Sequence, residues 1–376
     1  MAGPRVALVH HWLTSPGGAE KVLYELHQMY PEAPIYTTAY IPKKFPEFAD
    51  AEVHTTFLNW IPFLKRKHQL FPIFLGTPMK TFNMSKYDLV ISSCAAEAKY
   101  VRTGERTLHI CYCHTPVRYY WTDYEWRLQN MPFGGLNLLA RIVFPMVIGP
   151  LRRIDYAAAQ KVNVFVANSE HIKRRIKQYY HRDSTVIYPP IATAQLERLP
   201  SGSRDYYLIV GRQVAAKRLD VAVDAFNELG LPLKVAGAGE EIARQKLRAK
   251  KNIEFLGYVS LEERDRLMAG AKAFVFPPEE DFGIVPLEAM AAGTPVIAYN
   301  AGGAPEYVTD GETGVLFDKQ TGPALAEAVR RFERLKFDGQ KVRARAKQFD
   351  TSVFVRKMKA FVDERWAEFE SRRPSK

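Results

Sequence analysis

Residues 277–308 read PPEEDFGIVPLEAMAAGTPVIAYNAGGAPEYV, and the order of residue types in this stretch decides the fold. The apolar run just before it, residues 273–276, reads as a buried strand, and residues 296–299 read as the next one. Between them lie a loop carrying Glu280 and a short helix beginning near Val285. Pro286 suits the first helical position, Glu288 the first turn and Gly293 the stop. Strand, loop, helix and strand in that order make a parallel βαβ unit. The N–H groups of Gly283, Ile284 and Val285 have no partner inside such a helix. They form an anion site beyond the strand, for which a diphosphate is the natural guest. Glu280 lies before the helix and Glu288 within it, so the two carboxylates can reach different parts of one ligand.

The same alternation runs outward in both directions. Residues 206–210, 233–236 and 253–256 read as strands upstream, separated by helical patterns. In the first half, residues 5–10, 87–93, 107–113, 162–168 and 185–188 read the same way, and 169–181 as a basic helix. Residues 192–205 are polar and carry Pro200, Ser201, Gly202 and Ser203, which marks a linker. With 376 residues the chain is too long for one ordinary α/β core. The pattern gives two doubly wound parallel sheets in tandem: residues 1–195, residues 196–350, and a helical tail 351–376 that crosses back to the first domain. In such sheets ligands bind beyond the carboxyl ends of the strands, so two facing sheets would hold one in the cleft between them.

Three further motifs fall at strand ends. Val210-Gly211-Arg212 closes a strand and Lys217 follows in AAKRLD. The glycine lets the backbone approach a ligand, and the two cations lie where phosphate oxygens would be. Residues 10–22, HHWLTSPGGAEKV, form a strand-to-helix turn with Gly17 and Gly18; this is not the G-x-G-x-x-G fingerprint. His114 emerges at the end of the strand in LHICYCHTPVRYYW. Cys111, Cys113 and His114 could suggest a metal, but residues i and i+2 share one strand face and no further Cys/His cluster completes a set. Lesser signals are Asn168-Ser169-Glu170, the glycine turn after Lys234 containing Gly237, and Tyr258 in FLGYV.

Net charge is +12 and uneven. Residues 1–200 carry 24 Lys and Arg against 15 Asp and Glu, and residues 201–376 carry 29 against 26. A basic first half can meet nucleic acid, anionic lipid or a phosphorylated substrate. Three cysteines, an odd number, argue against a disulfide framework and for a reducing compartment. The start, MAGPRVALVHHW, lacks the apolar stretch of a leader. Segments 57–80 and 131–153 mix aromatic and apolar residues with Lys and Arg. Both fit either an interfacial position or packing on the first domain, and Arg141 and Pro145 argue against a spanning helix.

Taken together, VALVHHWLTSPGGAEKV, YDLVISS, LHICYCHTPVRYYW, FVANS, TVIYPP and the E-x7-E stretch resemble glycosyltransferase family 4. Within it, they look most like bacterial GDP-mannose-dependent mannosyltransferases of polysaccharide and O-antigen assembly. The resemblance covers nearly the whole chain; one departure is His11, where an acid is expected. It implies the GT-B fold, two Rossmann-like domains facing across a cleft. It also implies a retaining transfer of a hexose, mannose from GDP-mannose, to a glycan or a polyprenyl-diphosphate-linked saccharide.

By the same resemblance Glu280 would hold donor-sugar hydroxyls, and Glu288 the ribose. Arg212 and Lys217 would clamp the diphosphate, and His114 would lie beside the reacting sugar. Gly17, Gly18, Gly211, Gly237, Tyr258, Phe282, Gly283, Ile284 and Val285 would line the donor. No DxD-like site stands out, so no metal and no cofactor beyond the donor is expected. The expected location is the cytoplasm, with the basic-apolar segments able to touch the inner face of the membrane and with no nucleic-acid partner. Other readings are a glucosyltransferase or sugar-nucleotide epimerase on the same fold, or a non-catalytic membrane- or nucleic-acid-binding protein.

Overall fold

The computed structural model describes residues 3–61, 78–129, 137–199 and 203–372. The chain divides into two compact units, residues Met1–Tyr188 with Val355–Lys376, and Pro189–Phe354. The first holds strands β1 (Val6–His10), β2 (Ile35–Thr37), β3 (Val53–Thr55), β4 (Leu89–Cys94), β5 (Leu108–Cys113), β6 (Val164–Ala167) and β7 (Ser184–Val186). They form one parallel sheet in the order β3-β2-β1-β4-β5-β6-β7. Its helices are α1 (Gly18–Met29), α2 (Tyr124–Gln129), α3 (Asn137–Lys161) and α4 (Glu170–Tyr180). The second unit begins with helix α5 (Thr193–Glu197). Its strands are β8 (Tyr207–Val210), β9 (Leu233–Ala236), β10 (Ile253–Gly257), β11 (Ala273–Phe276), β12 (Val296–Tyr299) and β13 (Gly314–Phe317), parallel in the order β10-β9-β8-β11-β12-β13. Its further helices are α6 (Leu219–Leu229), α7 (Glu241–Arg248), α8 (Leu261–Gly270), α9 (Ile284–Ala291), α10 (Gly322–Glu333) and α11 (Gly339–Lys347). Helix α12 (Thr351–Ser371) closes the chain.

The inner strands of each sheet, such as β4, β5 and β11, are buried on both faces, as continuous apolar strands require. In the first unit Val9, Val90, Cys111 and Phe165 pack with Ile172 and Ile176 of α4. In the second, Tyr207, Val235, Val275, Ile297 and Val315 pack with Phe226, Leu325 and Phe332. Side-chain caps set two helix starts. Ser169 accepts from the Ile172 amide at 3.1 Å and Ser260 from that of Glu263 at 3.1 Å.

The strands expected from periodicity are present within one or two residues, and β2, β3 and β13 are additional. Each of these is three or four residues long, too short for alternation to register. The linker reading of 192–205 is corrected over its first part. Residues 193–197 are helical, Leu196 is buried, and Ile191 exchanges backbone bonds with Phe349 and Thr351. Distant strand-like pairing ties this segment to the second unit despite its polar composition. Of the two basic-apolar segments, residues 62–77 and 130–136 lie outside the described residues. Among the described residues no helix is long and apolar enough to cross a membrane.

One buried polar cluster marks the first unit. The Lys99 ammonium and Asp155 carboxylate are fully enclosed, and Tyr100, Trp121 and Tyr180 each donate to Asp155 at 2.7–2.8 Å. Glu97 sits beside them, its carboxyl pushed up to about 8 by burial.

Candidate functional site

In a parallel sheet every strand ends at the same edge, so the residues following those ends are brought together irrespective of sequence distance. In the second unit that edge collects four of the sequence motifs. Gly211 and Arg212 follow β8, Gly237 follows β9, Tyr258 follows β10, and Glu280 follows β11. β8 and β11 are neighbours, which brings Lys217 and Glu280, 63 residues apart, into a direct ion pair. Arg218, adjacent to Lys217, adopts a left-handed backbone and turns instead to Asp220 and Gln320. Of this pair in AAKRLD, Lys217 is therefore the one that meets Glu280. Arg212 is exposed.

The helix after Glu280 begins one residue earlier than expected, with Gly283 as cap at φ +89° and Pro286 as the third helical residue. A third-position proline still removes only a donor that has no intrahelical acceptor. Ile284 and Val285 are half-buried at the helix start. Gly283 must be glycine on two counts, its left-handed φ and the Tyr307 hydroxyl 2.8 Å from where a Cβ would stand. That hydroxyl is buried with no hydrogen-bond partner among the described residues, as is Gln213 Oε1. The Phe282 ring is buried against Tyr307 and Phe349, so only its backbone is left for a ligand. Glu288 is buried inside α9, 3.3 Å from Arg264 of α8. Tyr258 is 87% exposed.

Sequence reasoning missed what holds Glu280. Gly302 and Gly303 lie under the Glu280 loop. A Cβ on Gly302 would come within 2.1 Å of the Glu280 carbonyl oxygen, and the Gly303 amide donates to that oxygen at 2.9 Å. Likewise a Cβ on Gly237 would come within 1.9 Å of the Gly211 carbonyl oxygen. The signal was present as the pair AGG at 301–303, but glycine for backbone contact and glycine for a turn look alike in sequence.

The first unit collects its own set at the carboxyl edge. His10 ends β1, Ser93 is its register partner on β4, and His114 follows β5. His114 Nε2 lies 2.8 Å from Ser93 Oγ, which lies 3.1 Å from His10 Nδ1. His10 Nε2 lies 3.4 Å from Glu20 Oε1. Glu20, in the first turn of α1, also accepts from the backbone amide of Gly17, the reciprocal half of a capping box. Gly17 is extended, and a Cβ there would meet Glu20 Oε2 at 3.0 Å, a tight contact from which the Glu20 carboxylate must shift slightly. Gly18 is the first helical residue. Asn168, after β6, holds the His114 carbonyl at 3.0 Å.

Burial dominates the electrostatics here. It lowers His10 to about 3 and His114 well below the usual imidazole range, with repulsion from His10 and His11 adding to the latter. It raises Glu20. Cys94, Cys111 and Cys113 are buried and unbridged. His10, His11 and Glu20 each offer a ligand atom within 4.8 Å of the others, a trio that the sequence reading did not single out.

Two family models match the chain in succession: Glycosyltransferase Family 4 over residues 16–195 and Glycosyl transferases group 1 over residues 192–349. Among curated relatives, D-rhamnosyltransferase WbpZ of Pseudomonas aeruginosa is 28% identical over 52% of this chain and 54% of its own. A GDP-mannose-dependent alpha-(1-6)-phosphatidylinositol monomannoside mannosyltransferase of Mycobacterium tuberculosis is 33% identical over 37% and 41%. The chain spans about half the length of the curated relatives it matches. A crystal structure of Anabaena Alr3699/HepE in complex with UDP has a TM-score of 0.70 at 19% identity, covering 96% of this chain and 100% of its own. That likeness shows the GT-B fold class, with its two Rossmann-like parallel-sheet domains.

Proposed function

We propose, for a chain that belongs to glycosyltransferase family 4, that it moves a hexosyl group from a nucleotide sugar to a saccharide acceptor. The observation that carries this is the pairing of Lys217 with Glu280 at the sheet edge where α9 opens its amide groups. A diphosphate on those amides would gain from the helix N-terminus and from Arg212 and Lys217. The same groups would stabilise the diphosphate as it departs, which is where negative charge builds up. An ammonium partner keeps the Glu280 carboxylate oriented, ready to accept from sugar hydroxyls. Glu288 takes the ribose and His114 a sugar hydroxyl in this reading.

The donor we propose is GDP-mannose, and the stereochemical outcome retention. A double displacement needs a carboxylate on the sugar face opposite the leaving group. In this reading the two carboxylates of the assigned set hold sugar hydroxyls and the ribose, and no motif offers another, so the departing phosphate would take the acceptor proton on the same face. No metal enters this scheme.

The acceptor side favours a lipid-linked saccharide at the cytoplasmic face of a membrane. Trp60, Leu138 and Met146 of the first unit are 82%, 75% and 72% exposed, and they lie in the two basic-apolar segments.

Thermal-shift measurements with GDP, UDP and ADP sugars test the donor, since a ligand bound only to the native state raises the melting temperature. Glu280→Ala should abolish transfer and leave the melting temperature close to that of the unsubstituted chain. Full activity in that variant refutes the assignment. Donor turnover without any acceptor would favour an epimerase instead.

A further inference from the structure

The contacts His114–Ser93–His10–Glu20 form one continuous buried chain. We propose that this chain is a proton relay, and that Glu20 stores the proton received at His114. This rests on the glycosyltransferase reading only for the identity of the substrate at His114.

The proton positions follow from the geometry. With Glu20 ionised, one carboxylate oxygen takes the Gly17 amide and the other takes the His10 Nε2 proton. His10 Nδ1 is then an acceptor, so the Ser93 hydroxyl donates to it. Ser93 oxygen in turn accepts from His114 Nε2–H. His114 is left with a lone pair on Nδ1, the nitrogen not engaged with Ser93.

A proton delivered to His114 Nδ1, the acceptor proton handed on by the departing phosphate, passes along without charging either ring. The Nε2 proton of His114 moves to Ser93, the Ser93 proton to His10 Nδ1, and the His10 Nε2 proton to Glu20. Both rings end neutral with their tautomers reversed, Ser93 keeps one proton, and Glu20 becomes a carboxylic acid. Burial disfavours an imidazolium at either histidine and favours the neutral acid at Glu20, so both resting states of the chain avoid a buried cation. His11 is the other titratable group acting on both ends, on Glu20 and on His114. Its protonation would favour the ionised form of Glu20.

Glu20→Gln is the informative variant. The glutamine oxygen still accepts from Gly17, but its amide must donate to His10 Nε2. That forces Nδ1–H at His10 and, through Ser93, Nδ1–H at His114. Nitrogen-15 spectra of histidine-labelled full chain should show His114 as the Nε2–H tautomer at neutral pH and as Nδ1–H in Glu20→Gln. Adding Ser93→Ala to Glu20→Gln should uncouple the two ends and restore a pH-independent mixture. These readouts need no substrate, so they stand or fall separately from the proposed function. Where transfer is measurable, kcat in Glu20→Gln should fall about a hundredfold, lose its acid limb and leave donor KM unchanged. An unchanged His114 tautomer in Glu20→Gln overturns the proposal. So does loss of one equivalent of divalent cation together with activity on chelation, which would make His10, His11 and Glu20 a metal site.

Discussion

The Lys99 ammonium lies 2.6 Å from the Asp155 carboxylate, and neither side chain is more than 1% exposed. Asp155 also takes the hydroxyls of Tyr100 and Tyr180 and the indole N–H of Trp121. Removing one member of such a pair leaves a charge in a medium that cannot solvate it, at a cost of about 3–5 kcal/mol. Lys99→Met should therefore lower the unfolding free energy by that amount. Asp155→Leu should cost more, since it orphans three further donors. Denaturant midpoints of the two variants check the order, and an equal or reversed order contradicts it.

Gly302→Ala should damage transfer more than stability. The added methyl would stand 2.1 Å from the Glu280 carbonyl oxygen at a φ of +67°. The loop carrying Glu280 must then shift, and a misplacement of this kind costs about a hundredfold in rate. Gly311→Ala is the control: its φ is +80° but nothing lies within 4 Å of the added carbon. Both variants carry backbone strain of about 1–2 kcal/mol, whereas only Gly302→Ala should lose activity. Comparable activities in the two would remove the positioning role of Gly302.

Stability should fall as pH drops through about 5.5 toward 4.5. Burial holds His10 at about 3, His109 at about 4 and His114 well below the usual value, whereas unfolded histidines protonate near 6.5. Below 6.5 the unfolded chain thus binds up to three protons that the folded chain does not. Glu97, held up to about 8, and Glu20, also raised, work the other way above 4.5 and remove at most two of them. Near pH 6.5, where unfolded histidines are only half protonated, the two effects nearly cancel; by pH 5.5 and below the remainder is about one proton, or about 1.4 kcal/mol per pH unit. Unfolding free energies at pH 6.5, 5.5 and 4.5 read this slope, and a flat profile contradicts it.

Binding to anionic vesicles should depend on the exposed apolar side chains of α3. Leu138 and Met146 are both on its surface. Inserting such a side chain into an apolar phase is worth about 1.5–3 kcal/mol. Leu138→Glu with Met146→Glu should weaken sedimentation with phosphatidylglycerol vesicles at least about tenfold. Equal sedimentation of the unsubstituted chain and the double variant, or none by either, would remove the membrane reading.

Much of the fold was legible because a strand buried on both faces must be continuously apolar. Residues 233–236, 273–276 and 296–299 are strands with the limits their composition suggested. β3, the tripeptide VHT, escaped because it is half-exposed and carries no apolar run. The helix at 193–197 escaped because its stability comes from Phe349, Asp350 and Thr351, far along the chain.

The amino-acid order by itself determined that two parallel sheets follow one another, and that Gly211, His114 and Glu280 stand at strand ends. Those are local consequences of burial, turn chemistry and helix starts. Only the tertiary structure decided that Lys217 rather than Arg218 meets Glu280, that Gly302 and Gly303 lie under the Glu280 loop, and that His114 is joined to Glu20 through Ser93 and His10. These depend on which strands become neighbours and in what register, and register is set by packing across the whole sheet rather than by any one segment.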